Sequence, residues 1–261
     1  MKPAIRLRQV CLVTRHLDLV LDQLHEVFDL QVCHRDPAVK EFGLKNALLR
    51  VGSRFLEVVA PVAPDTAAGR FLKRRSGDSG YMVIMQASAA EQEAGRRRAA
   101  SAGIRVAWEK EHATGRYLQF HPADTGGAFF ELDHDEANDP GGHWQPAGGL
   151  SWQNAPQSTV IRDLVGVGLQ AGAPAAMAAT WSQLAGIPLQ GQRLPLTNGH
   201  IDFALATDGR GDGLGGITLL ATDPDRARQR ARAAGLTVTA GHILLCGTRF
   251  QLITESPHPD A

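Results

Sequence analysis

The sequence is short of most things that announce a function. Its three cysteines, Cys11, Cys33 and Cys246, form no CxxC pair and are odd in number, which argues against a disulfide framework and against a thiolate zinc site. It has no net charge, because 27 basic residues balance 27 acidic ones; nothing draws it as a whole to nucleic acid or to an anionic membrane. The basic runs Lys73-Arg74-Arg75 and Arg96-Arg97-Arg98 are local, and the second lies in an alanine-rich helical pattern that reads as a solvated face. No apolar run reaches the length of a membrane span. The opening "MKPAIRLRQVCLV" lacks the apolar stretch and small-residue cleavage site of a signal peptide, so the expected location is cytoplasmic. There is no GxSxG elbow, no HExxH and no dinucleotide fingerprint running from strand into helix, and hence no expected nucleotide cofactor. The glycine-rich "DGRGDGLGG" (208–216) has neither the GK[ST] of a phosphate loop nor the acidic spacing of an EF-hand.

What is present is repetition. "IRLRQVCLV" alternates like a strand, and "LDLVLDQLHEVFDL" then spaces Leu17, Val20, Leu21, Leu24, Val27 and Phe28 as one helical face. Short strands follow around Val32, over 47–51 and over 54–59. A second cycle opens with the strand "GYMVIMQA", continues through the helix "AAEQEAGRRRAASAG" with Gly103 as its C-cap, and ends in "IRVAW", "GRYLQFHP" and "AFFELD". Both cycles read β-α-β-β-β. Periodicity then stops across 134–158, a stretch rich in Gly, Pro, Asn and Asp. Trp144 and Trp152 within it are too apolar for a free tether and should pack on a domain surface. The pattern restarts at "TVIRDLVGVGLQA", and short echoes such as "AGIRV" and "AGLTV" mark the two halves as repeats. The expected fold is therefore α+β, with four βαβββ units in two domains, 1–135 and 158–255, joined by a linker over 136–157.

This order of elements resembles the vicinal oxygen chelate superfamily, which includes glyoxalase I, methylmalonyl-CoA epimerase, extradiol dioxygenases and the fosfomycin and bleomycin resistance proteins. The runs "EVVAP", "DTAAGRFLKRR", "GDSGYMVIM" and "FHPADTGGAFFELD" are most similar to the epimerase and glyoxalase branches. The resemblance implies two glyoxalase-like domains, each with paired units curving a sheet around a cavity, and metal ligands projecting inward from four strands. The matching positions are Gln9, Glu57, Val83 and Glu131. Valine has no lone pair to offer, and sliding by one residue gives Met82, a soft ligand in a hard set. His121, next to the strand carrying Glu131, is a further candidate ligand, with His112 and His200 behind it.

Glu57 and Glu131 raise the question independently of any family. Each sits between apolar neighbours in a strand, and an ionised carboxylate is costly to bury unless it is paired or bound to a metal. A sheet-edge position or an arginine partner such as Arg54 is the plain alternative for Glu57. In the second half the matching positions are Gly166, Phe203, Thr218 and Gln251, which cannot form such a site. The resemblance then implies a lyase or isomerase acting on a small 2-oxo or thioester substrate. Gln9, Glu57 and Glu131 would hold a divalent cation (Mn, Mg, Zn, Ni or Co), and Glu57 or Glu131 would carry the proton. The alternative is a metal-free protein that binds a small molecule. Either way the partner is a small-molecule ligand, with no nucleic acid and no membrane, and the chain is a monomer acting as a fused pseudo-dimer, or a homodimer.

Overall fold

The computed structural model describes residues 5–255. The first unit runs β1 (Arg6–Val13), α1 (Leu17–Phe28), β2 (Val32–His34), β3 (Leu44–Val51) and β4 (Arg54–Pro61). A short helix, α2 (Ala67–Arg74), leads to the second unit: β5 (Ser79–Ala87), α3 (Ala89–Ser101), β6 (Val106–His112), β7 (Gly115–Phe120) and β8 (Phe129–Asp135). Together they form an eight-stranded sheet in the order β2-β3-β4-β1-β5-β8-β7-β6. β1 and β5 meet antiparallel at its centre, each with a parallel neighbour on its other side, β4 and β8 respectively.

The third unit is shorter: β9 (Ile161–Ala171), α4 (Pro174–Ala185), β10 (Arg193–Pro195) and β11 (His200–Leu205), with two strands after its helix rather than three. The fourth is complete, with β12 (Gly213–Ala221), α5 (Pro224–Ala233), β13 (Thr237–Val238), β14 (Ile243–Leu245) and β15 (Thr248–Ile253). They make a seven-stranded sheet, β10-β11-β9-β12-β15-β14-β13. Among the described residues no helix is long and apolar enough to cross a membrane.

The helices form where the apolar spacing asked for them. In α1 all six residues of the predicted face are buried, and the helix stops at Asp29, which adopts the left-handed conformation at φ 56°. α2 is nucleated by Thr66, whose hydroxyl accepts from the Gly69 amide at 3.0 Å.

Strand alternation in the first sheet separates two cores. Val10, Leu12, Leu56, Val58, Val83, Met85, Phe130 and Leu132 face one way, into a core continuous with the second sheet. Phe28 meets Phe250 at 5.2 Å and Phe130 meets Trp181 at 4.8 Å across this boundary, and Trp181 meets Phe203 at 6.2 Å within the second half. The approach is tight at Gly80, where a Cβ would lie 2.4 Å from Leu214 Cγ. The opposite face carries a smaller core of Cys11, Phe55, Val59, Met82, Ile84 and others.

Two expectations change here. Val83 belongs to the shared core, so it is not the fourth inward position. The residue in register with both Gln9 and Glu131 is Ile84. Phe203, likewise, packs into the shared core.

The connecting segment is not a tether. Trp144 and Trp152 are buried against the smaller core, and Trp152 makes an edge contact with Phe55 at 5.3 Å. The Arg8 guanidinium lies 5.3 Å from the Trp144 ring, 5.6 Å from Phe55 and 5.9 Å from Trp152. Its two terminal nitrogens donate to the carbonyls of Asp139 and Gly142. An arginine caged by aromatic faces and backbone oxygens fastens the segment across the end of the sheet.

Candidate functional site

By alternation, Gln9 on β1, Glu57 on β4 and Glu131 on β8 share the face of the smaller core, and all three line one inner chamber of about 140 Å³. It adjoins an outer chamber of about 430 Å³ walled by Phe42, Phe71, Trp108 and Phe129, with Arg70 and Arg74 on its α2 side. Tyr81, Met82 and Gln119 lie on the wall common to both. The cleft has the size and apolar lining of a small-molecule site.

Glu57 is fully engaged. Asn46 Nδ2 donates to its Oε1 at 2.7 Å and Gln9 Nε2 to its Oε2 at 3.0 Å. Gln9 Oε1 in turn accepts from Trp144 Nε1 at 2.8 Å, and Asn46 Oδ1 accepts from the Asp36 amide at 2.9 Å. Burial raises the Glu57 pKa, while the bonds from Asn46, Cys11 and Gln9 act against that rise. The thiol of Cys11, directly across from Glu57, is pushed well up by burial and by that carboxyl group. Arg54 is not its partner: it reaches the other half, donating to the carbonyls of Leu164 and Asn198 and pairing with Asp163.

Glu131 is the opposite case. It is 4 % exposed and its Oε2 has no hydrogen-bond partner. Two residues on, facing the same way, Asp133 also has an unpartnered oxygen, Oδ2, and its Oδ1 accepts from the Leu118 amide at 3.3 Å. Burial raises Glu131 well above the ordinary carboxylate range, reinforced by Asp133 and Glu57 and opposed by Gln119. Burial likewise pushes Asp133 up to about 8, opposed by Glu131 and the Leu118 amide. Two buried carboxyl groups this close cannot both ionise cheaply, so they titrate as a pair around a shared proton. Tyr117, stacked on Trp108 at 5.3 Å, has a phenol held well above its usual range by burial and then by Asp133.

Do these residues fit a divalent metal? Their donor atoms are already committed. The Gln9 oxygen is taken by Trp144, both Glu57 oxygens by amides, and Ile84 offers nothing. His121 lines the outer chamber, not the inner one, and its Nδ1 accepts from the Ala123 amide at 3.2 Å within a turn. His112 packs on the Tyr117 ring at 4.6 Å, and His200 lies in the second sheet, 3.5 Å from Asp202. Among the described residues no group of three or more His, Cys, Asp and Glu side chains could hold a metal ion. Among these residues in the inner chamber only Glu131 keeps an unengaged oxygen, and His121 stands in the outer one, so the set Gln9, Glu57, Glu131 and His121 does not fit the ion.

Several members of the site were not singled out from sequence. Asp133 had a readable signal, the alternation of acids in "FFELDHD". Asn46, Tyr117 and Gln119 carried none, because one polar residue in a half-buried strand is ordinary. Trp144 reaches the site across 135 residues of chain.

No protein-family model matches the sequence, and no curated protein matches it. Among solved structures, a triple mutant of 4-hydroxymandelate synthase from Streptomyces coelicolor aligns with 91% of this chain and 76% of its own, at 14% identity and a TM-score of 0.65. Methylmalonyl-CoA epimerase from Mycobacterium tuberculosis aligns with 50% of this chain and 87% of its own, at 23% identity and a TM-score of 0.43. A Streptomyces coelicolor epimerase variant in complex with 2-nitronate-propionyl-CoA aligns with 50% and 96%, at 20% identity and a TM-score of 0.43. The match along nearly the whole chain establishes the fold as the tandem vicinal oxygen chelate type.

Proposed function

We propose that this protein of vicinal oxygen chelate fold binds a small organic molecule in the two-chambered cleft of its first sheet, without a metal ion. The observation that carries this reading is the chain Trp144–Gln9–Glu57–Asn46. It engages the oxygens at two of the ligand positions, Gln9 and Glu57, while the aromatic cleft beside it stays lined for an organic guest. A lyase or isomerase reaction routed through a divalent cation has no support from this donor set. A second reading keeps catalysis without the metal: the Glu131–Asp133 pair, holding one proton between two acids, has the form of a proton donor and acceptor for a carbon acid bound above it.

Elemental analysis after dialysis against manganese, cobalt, nickel and zinc tests the first reading, alongside a thermal-shift screen of small aromatic compounds. The expected result is less than a tenth of an equivalent of any metal and several compounds that raise the melting temperature. Near one equivalent of metal, lost in the Glu57→Ala/Glu131→Ala variant, would overturn it.

A further inference from the structure

The two chambers of the cleft differ in the sign of their charged groups. Acids line the inner one, and its single cation among the described residues, Lys110, is held by Glu41 at 3.4 Å. Among the described residues no acid lines the outer chamber, whose charged side chains are Arg70 and Arg74. Both belong to one face of α2: Ala67, Arg70, Phe71 and Arg74 follow at helical spacing, and all four line the chamber. Neither guanidinium has a carboxylate partner among the described residues. Arg70 donates to the Asp65 carbonyl, and Arg74 lies 5.2 Å from the centre of the Phe71 ring, a cation resting on an aromatic face. Burial holds the Tyr81 phenol well above its usual range, while Arg74 and Arg70 pull against that rise. Their field therefore reaches the wall between the chambers.

We propose that the outer chamber binds an organic anion, with an apolar, ring-bearing body among the aromatic walls and a carboxylate or phosphate group held at the solvent edge by Arg70 and Arg74. The inference rests on the cleft being a small-molecule site, and adds the class of guest and its direction. The rings come from two parts of the chain. Phe71 and Phe129 each meet Tyr81 edge to face, at 4.8 and 5.0 Å, and Phe42 meets Trp108 edge-on at 5.4 Å. His121, just after β7, adds a donor: its Nδ1 accepts from the Ala123 amide at 3.2 Å, which leaves Nε2 to carry the ring hydrogen.

The charge pattern sets the direction. An acid group turned inward would face Asp36, Glu41, Glu57 and Glu131, which repel it wherever they are ionised. Turned outward, it meets two guanidinium groups one helical turn apart, whose forked N–H donors match the oxygens of a carboxylate or phosphate. A neutral guest would fill the space between the rings and gain nothing from either arginine. A cationic guest would be repelled by both. Because Arg70 and Arg74 are exposed, water and salt screen the attraction. Affinity for an anion therefore falls as ionic strength rises, and affinity for its neutral isostere stays level.

The test is calorimetric titration of the full chain with 2-naphthoate, 2-naphthyl phosphate and the uncharged 2-naphthamide, at low and high salt, about 20 and 200 mM. At low salt one or both anions are expected to bind about tenfold tighter than the amide, and the lead should shrink at high salt. Naphthoate in the lead marks a carboxylate guest, naphthyl phosphate a phosphate guest. Arg70→Gln and Arg74→Gln should each cut the lead by about threefold and leave the amide affinity unchanged. Lys73→Gln removes the same charge from the same helix outside the chamber lining, and should keep the lead. All three positions are exposed, and the comparison of anion with amide in the unsubstituted protein stands even if a variant does not fold. Anions that bind no tighter than the amide, a lead indifferent to salt, or a loss as large in Lys73→Gln would overturn the proposal while leaving the cleft a ligand site. Failure of all three compounds, and of the wider aromatic screen, would overturn the proposed function itself.

Discussion

Replacing Asp133 by asparagine should make this protein more stable at alkaline pH and change little at acid pH. The substitution is nearly isosteric. The asparagine Oδ1 can still accept from the Leu118 amide, and its new Nδ2 donor faces the unpartnered oxygen of Glu131. What disappears is a buried ionisation. The Asp133 pKa moves from 3.8 to about 8 on folding, so the folded chain binds this proton more tightly than the unfolded one. For a raised carboxyl pKa the sign is unambiguous: the contribution is fully present below the unfolded value and is lost as pH climbs toward the folded one. At about 1.4 kcal/mol per unit, the ceiling over that window is on the order of 5 kcal/mol, shared with Glu131 because the two titrate together. Urea unfolding followed by tryptophan fluorescence at pH 5, 7 and 9 measures it. The stability gained by Asp133→Asn should be smallest at pH 5, on the order of 1–2 kcal/mol, and grow to several kcal/mol at pH 9. Asp124, held far below its usual range by Arg105, pulls the pH dependence the other way, but it is common to both proteins and cancels in the difference. A gain that is flat across pH would refute the buried, shared proton.

Two further substitutions probe the frame around the site. Trp144→Phe removes the donor to Gln9 and strands a buried amide oxygen; a loss of roughly 1–3 kcal/mol is expected in the same unfolding assay, and a loss under a few tenths would mean that water fills the gap at no cost. A histidine at position 84 faces the cleft, whereas one at 83 enters the core shared by the sheets. Val83→His should therefore cost several kcal/mol more than Ile84→His, and similar midpoints for the two variants would contradict the register given for β5.

Much of the fold is legible in the sequence because surface helices and half-buried strands repeat with different periods. α1, α3, α4 and α5 end close to the predicted points, each within two residues of a positive-φ residue, Asp29, Gly103, Gly186 or Gly235. α2 escapes notice because only Ala68, Phe71 and Leu72 are buried in its eight residues. The register of β5 escapes for a different reason: all nine of its residues are buried, so no alternation marks which side faces the cleft. Bulges in the β1–β5 pairing, after Leu7 and after Cys11, further prevent counting across from Gln9. Glu57 and Glu131 are conspicuous in the sequence as acids among apolar residues, and they do line one chamber. Their unequal states are set by Asn46, Gln9 and Trp144 on one side and Asp133 on the other, which are contacts of folding rather than of spacing.

The core shared by the two sheets has a consequence for how the chain comes into being. Synthesis proceeds from the N-terminus, so every strand of the first sheet is made before β9 exists. Until then Val10, Leu12, Val58, Met85 and Phe130 have no second sheet to cover them, and Gly80 waits for a leucine more than a hundred residues away. The nascent first half thus carries an uncovered apolar back, and the window for mispairing lasts as long as it takes to translate the second. Slow translation beyond the connecting segment would prolong that exposure, and rapid completion of β9 to β12 would end it.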